Sequence, residues 1–236
     1  EVRLSPEKPG EKGATALTAT ARGKVTLWSP AVVRQGVVAR DIGTDLVWGL
    51  HEVRLGGPAA GRMPMNTVLR VTGQRGKHWR IRLTPQLEAW AETEHVKLLP
   101  SGTPVARATF TNLQVRAGST EDATEDRVEI PWDARIPFAV RPSTGASGRA
   151  ALDVDLYGAQ HGTTWIVHHE KLAVIREVTA EQLATDHVRV RVELAGPRVW
   201  GWKTDTATGA LVLTVRAAPA ISNAAAPLTG LSVCVE

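Results

Sequence analysis

The octapeptide His187-Val188-Arg189-Val190-Arg191-Val192-Glu193-Leu194 alternates apolar and polar residues without a break. Such a period-two run gathers its three valines and its leucine on one side only as an extended strand, because a helical step would scatter them around the axis. It predicts an antiparallel sheet with one apolar face and one wet face. Shorter runs of the same kind precede it at 24–28, 46–50, 53–55, 68–72, 79–83, 87–91 and 96–99. Gly56-Gly57-Pro58, Gly61, Gly73, Arg75-Gly76 and Thr84-Pro85 punctuate them as turns. Further strands are predicted at 105–115 (broken by Asn112), 127–132, 137–140, 151–156, 165–168, 172–178, 199–202 and 211–215. Only Thr179-Ala180-Glu181-Gln182-Leu183 offers a helical turn. The expected fold class is therefore all-β.

Spacing divides the chain of 236 residues. Residues 1–22 lack an apolar period and read as a flexible leader rich in Pro, Gly, Lys and Thr. Closely spaced strands from 23 to 100 suit a small barrel or sandwich, and Pro100-Ser101-Gly102-Thr103-Pro104 marks a linker. Longer alternating runs from 101 to 220 read as antiparallel sheet in a second domain, followed by a linker and a short apolar strand at 221–236. One Cys excludes a disulfide framework. No apolar run approaches the roughly twenty residues of a membrane-spanning helix, so no transmembrane segment is expected, and any signal peptide is expected to have been removed.

The net charge of +4 is spread over single arginines rather than a basic run, so nucleic acid is not an expected partner. Arg80-x-Arg82 and Arg189-x-Arg191 each place two guanidiniums on one strand face, either as a solvated face or as an attraction for an anionic polymer. Eight Trp against two Phe and one Tyr is an unusual aromatic balance. Trp79 and Trp90 fall on neighbouring strands and either plug the small core or floor a groove, with Arg80 or Arg82 meeting a carboxylate. Trp200 and Trp202 share a face as a core pair or a stacking platform, and Trp132, after Pro131, stands at a strand end. The ligand-binding candidates are thus Trp79, Arg80, Arg82, Trp90 and Trp132.

No catalytic or metal residues are assigned. His168-His169-Glu170 puts adjacent histidines on opposite strand faces, and no His-Glu-x-x-His or paired Cys is present. Gly-x-Ser-x-Gly is missing as well. Asp153-Val154-Asp155 aligns two carboxylates, which the strand pattern assigns to a wet face rather than to a glycosidase pair or a cation site.

Three stretches carry a family resemblance. Leu55-Gly56-Gly57-Pro58, Asn66-Thr67-Val68-Leu69-Arg70-Val71-Thr72-Gly73, Gly76-Lys77-His78-Trp79-Arg80-Ile81 and Ala89-Trp90-Ala91 resemble a bacterial SH3-like domain. Val128-Glu129-Ile130-Pro131-Trp132, Leu156-Tyr157-Gly158-Ala159 and Val199-Trp200-Gly201-Trp202 resemble the β-rich, AMIN-like accessory domain of bacterial amidases. Pro227-Leu228-Thr229-Gly230-Leu231-Ser232-Val233-Cys234-Val235-Glu236 is similar to the opening strand of a zinc-dependent N-acetylmuramoyl-L-alanine amidase domain. The resemblance implies an SH3-like barrel followed by a β-sandwich, exported to the periplasm or cell envelope and bound to peptidoglycan or another cell-wall polymer. It implies the non-catalytic targeting region of an amidase (hydrolase), inactive by itself, with zinc expected in the catalytic domain. The alternative is a structural envelope protein, a β-rich subunit holding envelope or surface-layer proteins together.

Overall fold

The computed structural model describes residues 17–20, 24–27, 33–50, 58–110, 112–118, 125–145, 147–162, 166–168, 172–205 and 207–217. Among these, all regular elements are strands apart from one 3-10 turn, so the architecture is all-β. The apolar tail at 231–235, the turn Gly56-Gly57 and the pair His169-Glu170 lie outside the described residues. No helix among the described residues is long and apolar enough to cross a membrane.

The first half holds β1 (Leu17–Thr20), β2 (Lys24–Leu27), β3 (Arg34–Val38), β4 (Thr44–Val47), β5 (Ala59–Met63), β6 (Val68–Arg75), β7 (His78–Arg82) and β8 (Glu88–Glu92). A 3-10 turn at Thr93–His95 leads into β9 (Val96–Leu98). β6, β7 and β8 form a meander, and β3 lies between β6 and β9. The path continues from β8 to β4 and β5 and does not close on itself, so the expected small barrel is an open, coiled sheet. Its core gathers Val38, Leu46, Met63, Leu69, Val71 and Ile81. Within the stretch read as a leader, Leu17–Thr20 forms β1 and pairs with β2.

The second half is a sandwich. Its five-stranded sheet runs in the order β16 (Ile166–His168), β11 (Leu113–Ala117), β12 (Glu125–Ile130), β20 (Leu211–Arg216), β19 (Val199–Thr204). The four-stranded sheet runs β13 (Phe138–Thr144), β14 (Ala150–Tyr157), β18 (His187–Leu194), β17 (Ile175–Ala184). A parallel pair, β10 (Ala108–Phe110) with β15 (Ala159–His161), flanks them. Val188, Val190, Val192 and Leu194 of β18 face Leu213, Val215 and Val128 across the core, as their period requires.

Two expectations are corrected here. The turn at 179–183 is not helical: Thr179, Ala180, Glu181 and Gln182 pair with Arg191, Val190, Arg189 and Val188. A ready partner strand outweighs a weak local helical preference. Nor do Asp153 and Asp155 occupy a wet face, since they are 6% and 0% exposed. Arg191 caps Asp153 and Arg189 caps Asp155, so the long cationic side chains reach water over carboxylates that do not.

The halves share a packed boundary. Ala139 and Tyr157, on the outer face of the four-stranded sheet, join the core built by β3–β9. Arg70 pairs with Asp186 at 2.8 Å, and the backbone N–H of Val68 donates to the carbonyl of Arg135 at 2.9 Å. Burial, then the nearby Asp155 charge, pushes the Tyr157 hydroxyl up to about 12.

Candidate functional site

The register of β7 with β8 decides which aromatic side chains can meet a ligand. Trp79 lies opposite Ala91, and Arg80 lies opposite Trp90. Directly opposed residues share a face and sequence neighbours do not, so Trp79 and Trp90 project to opposite sides of the sheet. Trp79 packs on the core with Ile81, and its indole N–H donates to the carbonyl of Val96 at 3.3 Å. Of the two roles open to this pair, Trp79 takes the core one, and the two rings do not floor one groove together.

Trp90 instead faces a cleft of ≈ 710 Å³ between the β4–β5 hairpin and the end of β8 with its 3-10 turn. Val47 pairs with Trp90, which ties the hairpin to the meander and makes the ring the floor. Arg40, Arg62 and Lys77 supply three cations to the lining, and Asp45, Glu92 and Glu94 supply three anions. Asp45 and Arg62 form an ion pair at 3.1 Å with both side chains more than half exposed. Such a pair contributes little stability and remains free to exchange partners.

The other sequence candidates fall elsewhere. Arg80 and Arg82 share the face of Trp90, but Arg80 donates from Nε to Glu88 at 2.7 Å and Arg82 lies opposite Glu88, at the end of β7 away from His78 and the cleft. Trp132 belongs to the sandwich: its N–H donates to the carbonyl of Gly209 at 2.6 Å and its ring centroid lies 5.7 Å from that of Phe138.

Residues the sequence reading did not single out complete the cleft. His95 ends the 3-10 turn, with Nδ1 3.1 Å from the hydroxyl of buried Thr44 and Nε2 2.8 Å from Arg40. A guanidinium only donates, so Nε2 accepts there. Glu92, Glu94 and His95 bring one ligating atom each within 4.8 Å of one another. The Nε2 lone pair that an ion would need already accepts from Arg40, and the group is assigned no metal. Arg40 itself is set by a tight turn in which the N–H of Gly43 donates to its carbonyl at 2.9 Å. Gly43 has φ +80°, and a Cβ there would fall 2.3 Å from the carbonyl oxygen of Met63. Gly43→Ala is therefore expected to lower stability by about 2 kcal/mol in a denaturant titration.

No protein-family model, no curated protein and no solved structure matches this chain. Functional inference accordingly rests on the cleft geometry and on the motifs in the sequence.

Proposed function

We propose that this chain is a non-catalytic cell-wall-binding module, the peptidoglycan-targeting region of an exported N-acetylmuramoyl-L-alanine amidase, and that it takes the peptide part of the wall in the Trp90 cleft. The observation that carries this reading is the pairing of one upward-facing indole with a lining of three cations and three anions. A wall stem peptide offers carboxylate and amine groups and alanine methyl groups on a short chain of polar amides. Arg40, Arg62 and Lys77 suit its carboxylates, Asp45 and Glu92 suit its amine, and the ring suits its alanine methyl groups. The amidase part of the proposal rests on the resemblance of 227–236, and hydrolysis belongs to the catalytic domain that the resemblance implies.

Trp90→Ala should weaken binding to purified sacculi and to a synthetic stem tetrapeptide about 10-fold or more, the range of an aromatic anchor in a central pocket. Binding would be read by co-sedimentation and calorimetry, with circular dichroism confirming the fold. Wild-type affinity in a folded Trp90→Ala variant would remove the cleft from consideration. Failure of the unaltered chain to bind sacculi, together with stable co-purification of envelope proteins, would favour the scaffolding alternative.

A further inference from the structure

A second groove lies on the outer face of the five-stranded sheet, away from both cores. The strand register brings Arg116 of β11 directly opposite Arg127 of β12, Glu125 opposite Arg216 of β20, and Thr214 between Arg127 and Gly201 of β19. Lys203 follows on the same face of β19. Their sequence neighbours Val115, Val128, Leu213 and Val215 point into the core, so alternation sends the charged set outward.

Glu125 is only 3% exposed. It accepts from Arg127 Nε at 2.7 Å and from Arg216 Nε at 2.5 Å. Burial alone would raise its pKa, but the hydrogen bonds from Arg127 and Arg216 outweigh this and hold it below the usual carboxylate range. One carboxylate is thus committed to aiming two guanidiniums. Arg116 bonds to the neutral amide of Gln114. Glu125 already offsets the charge of Arg127, whereas Arg116, directly opposite on β11, bonds a neutral amide and leaves the edge of the cluster cationic.

Beside this cluster runs a groove of ≈ 370 Å³ lined by Arg127, Arg216 and Lys203 together with Glu125, Thr214 and Val199. Its floor is backbone at Gly201, where an added Cβ would meet nothing within 4 Å. Trp200 and Trp202 also contribute to its lining, but as partly buried residues packed against the core, Trp202 edge-on to Phe138 at 4.8 Å.

We propose that this groove binds a polyol- or sugar-phosphate polymer, a phosphodiester chain laid across β12, β20 and β19. Arg127, Arg216 and Lys203 stand on those three strands, about 4.8 Å apart, with Arg116 flanking them on β11, so the charge spreads farther than one small anion can span, whereas a repeating phosphate meets the cations in turn. Guanidinium forks match phosphate oxygens, and the bare floor admits a backbone without bulky rings. Single-stranded nucleic acid fits less well, since its binders stack bases on exposed aromatic rings and both indoles here turn inward. The groove is separate from the Trp90 cleft, and the proposal stands or falls independently of it.

The test is fluorescence anisotropy of labelled poly(glycerol phosphate), with oligothymidylate as comparator. Gly201→Leu fills the floor at an ordinary backbone conformation and should weaken binding about 10-fold. Arg116→Gln should weaken it about 3-fold at 50 mM salt. The free Arg116→Gln protein should melt no lower than wild type, because removing a like-charge neighbour is not destabilising. Trp90→Ala should leave this binding unchanged. Unaltered affinity in folded Gly201→Leu and Arg116→Gln, or oligothymidylate binding as tight as poly(glycerol phosphate), would overturn the proposal.

Discussion

Asp155→Asn is expected to cost about 3 kcal/mol of folding stability at neutral pH, with an unchanged denaturant slope. Asp155 is fully buried in β14 and accepts from Arg189 Nε at 2.9 Å, from Arg189 Nη2 at 3.3 Å and from His187 Nε2 at 2.9 Å, with Arg141 as a further partner. Asparagine keeps the volume but turns an amide N–H₂ toward donors. Asp153, two residues away, substitutes only weakly, because it already holds Arg191 at 2.8 and 3.1 Å and approaches Arg189 no closer than 3.8 Å. The expected loss sits at the lower end for a broken buried pair, since the side chains of Arg141 and Arg189 are 49% and 26% exposed and can rehydrate.

The same residue fixes a pH signature. Burial alone would raise the Asp155 pKa, but hydrogen bonds from Arg141 and His187 and the charges of Arg189 and Arg141 outweigh it and bring it below the ordinary value. A depressed folded-state pKa stabilises above the unfolded value of about 3.9, and the contribution is lost as pH falls through the folded one. The wild-type and Asp155→Asn stability curves should therefore lie well apart at pH 7 and converge below about pH 4.

That buried ladder also shows where sequence reading stops. The alternation of 187–194 correctly separates an apolar from a charged face, but alternation reports sides and not depth. Whether the charged side is wet depends on the neighbouring strands, and here Asp153 and Asp155 of β14 lie opposite Arg191 and Arg189 of β18. β3 carries no strand signal in the sequence for a different reason. Its Gln35 is 1% exposed and its Gly36 leaves 2.7 Å between a would-be Cβ and Val96 Cγ1, so neither position carries the apolar signal of a central strand. The Trp90 cleft was half legible. Residue type singles out Trp90, but its separation from Trp79 follows from register across the β7–β8 hairpin. Arg40, Asp45 and Arg62 arrive from a distant hairpin that no local pattern joins to β8.

The largest effect hidden from the sequence belongs to Asp126. It occupies an inward position of β12, opposite Val215, where every neighbouring inward residue is aliphatic. Its carboxylate reaches the chain just ahead of β17 and at its start, accepting from the N–H of Ala173 at 3.0 Å, Val174 at 2.7 Å and Ile175 at 2.8 Å. Asp126 is 0% exposed, and Val174 and Ile175 are each 2% exposed. Asp126→Ala would strand at least two of those N–H groups away from water, where each unsatisfied donor costs about 1–3 kcal/mol and charge-assisted bonds exceed neutral ones. The expected loss is about 4 kcal/mol. Asp126→Asn should recover part of it, because one amide oxygen can still serve Val174 and Ile175 while the N–H₂ faces Ala173. Denaturant titrations of both variants, with amide hydrogen exchange at 173–175, would check the ordering. Equal stability of the alanine variant and wild type would mean that the start of β17 is held by packing alone.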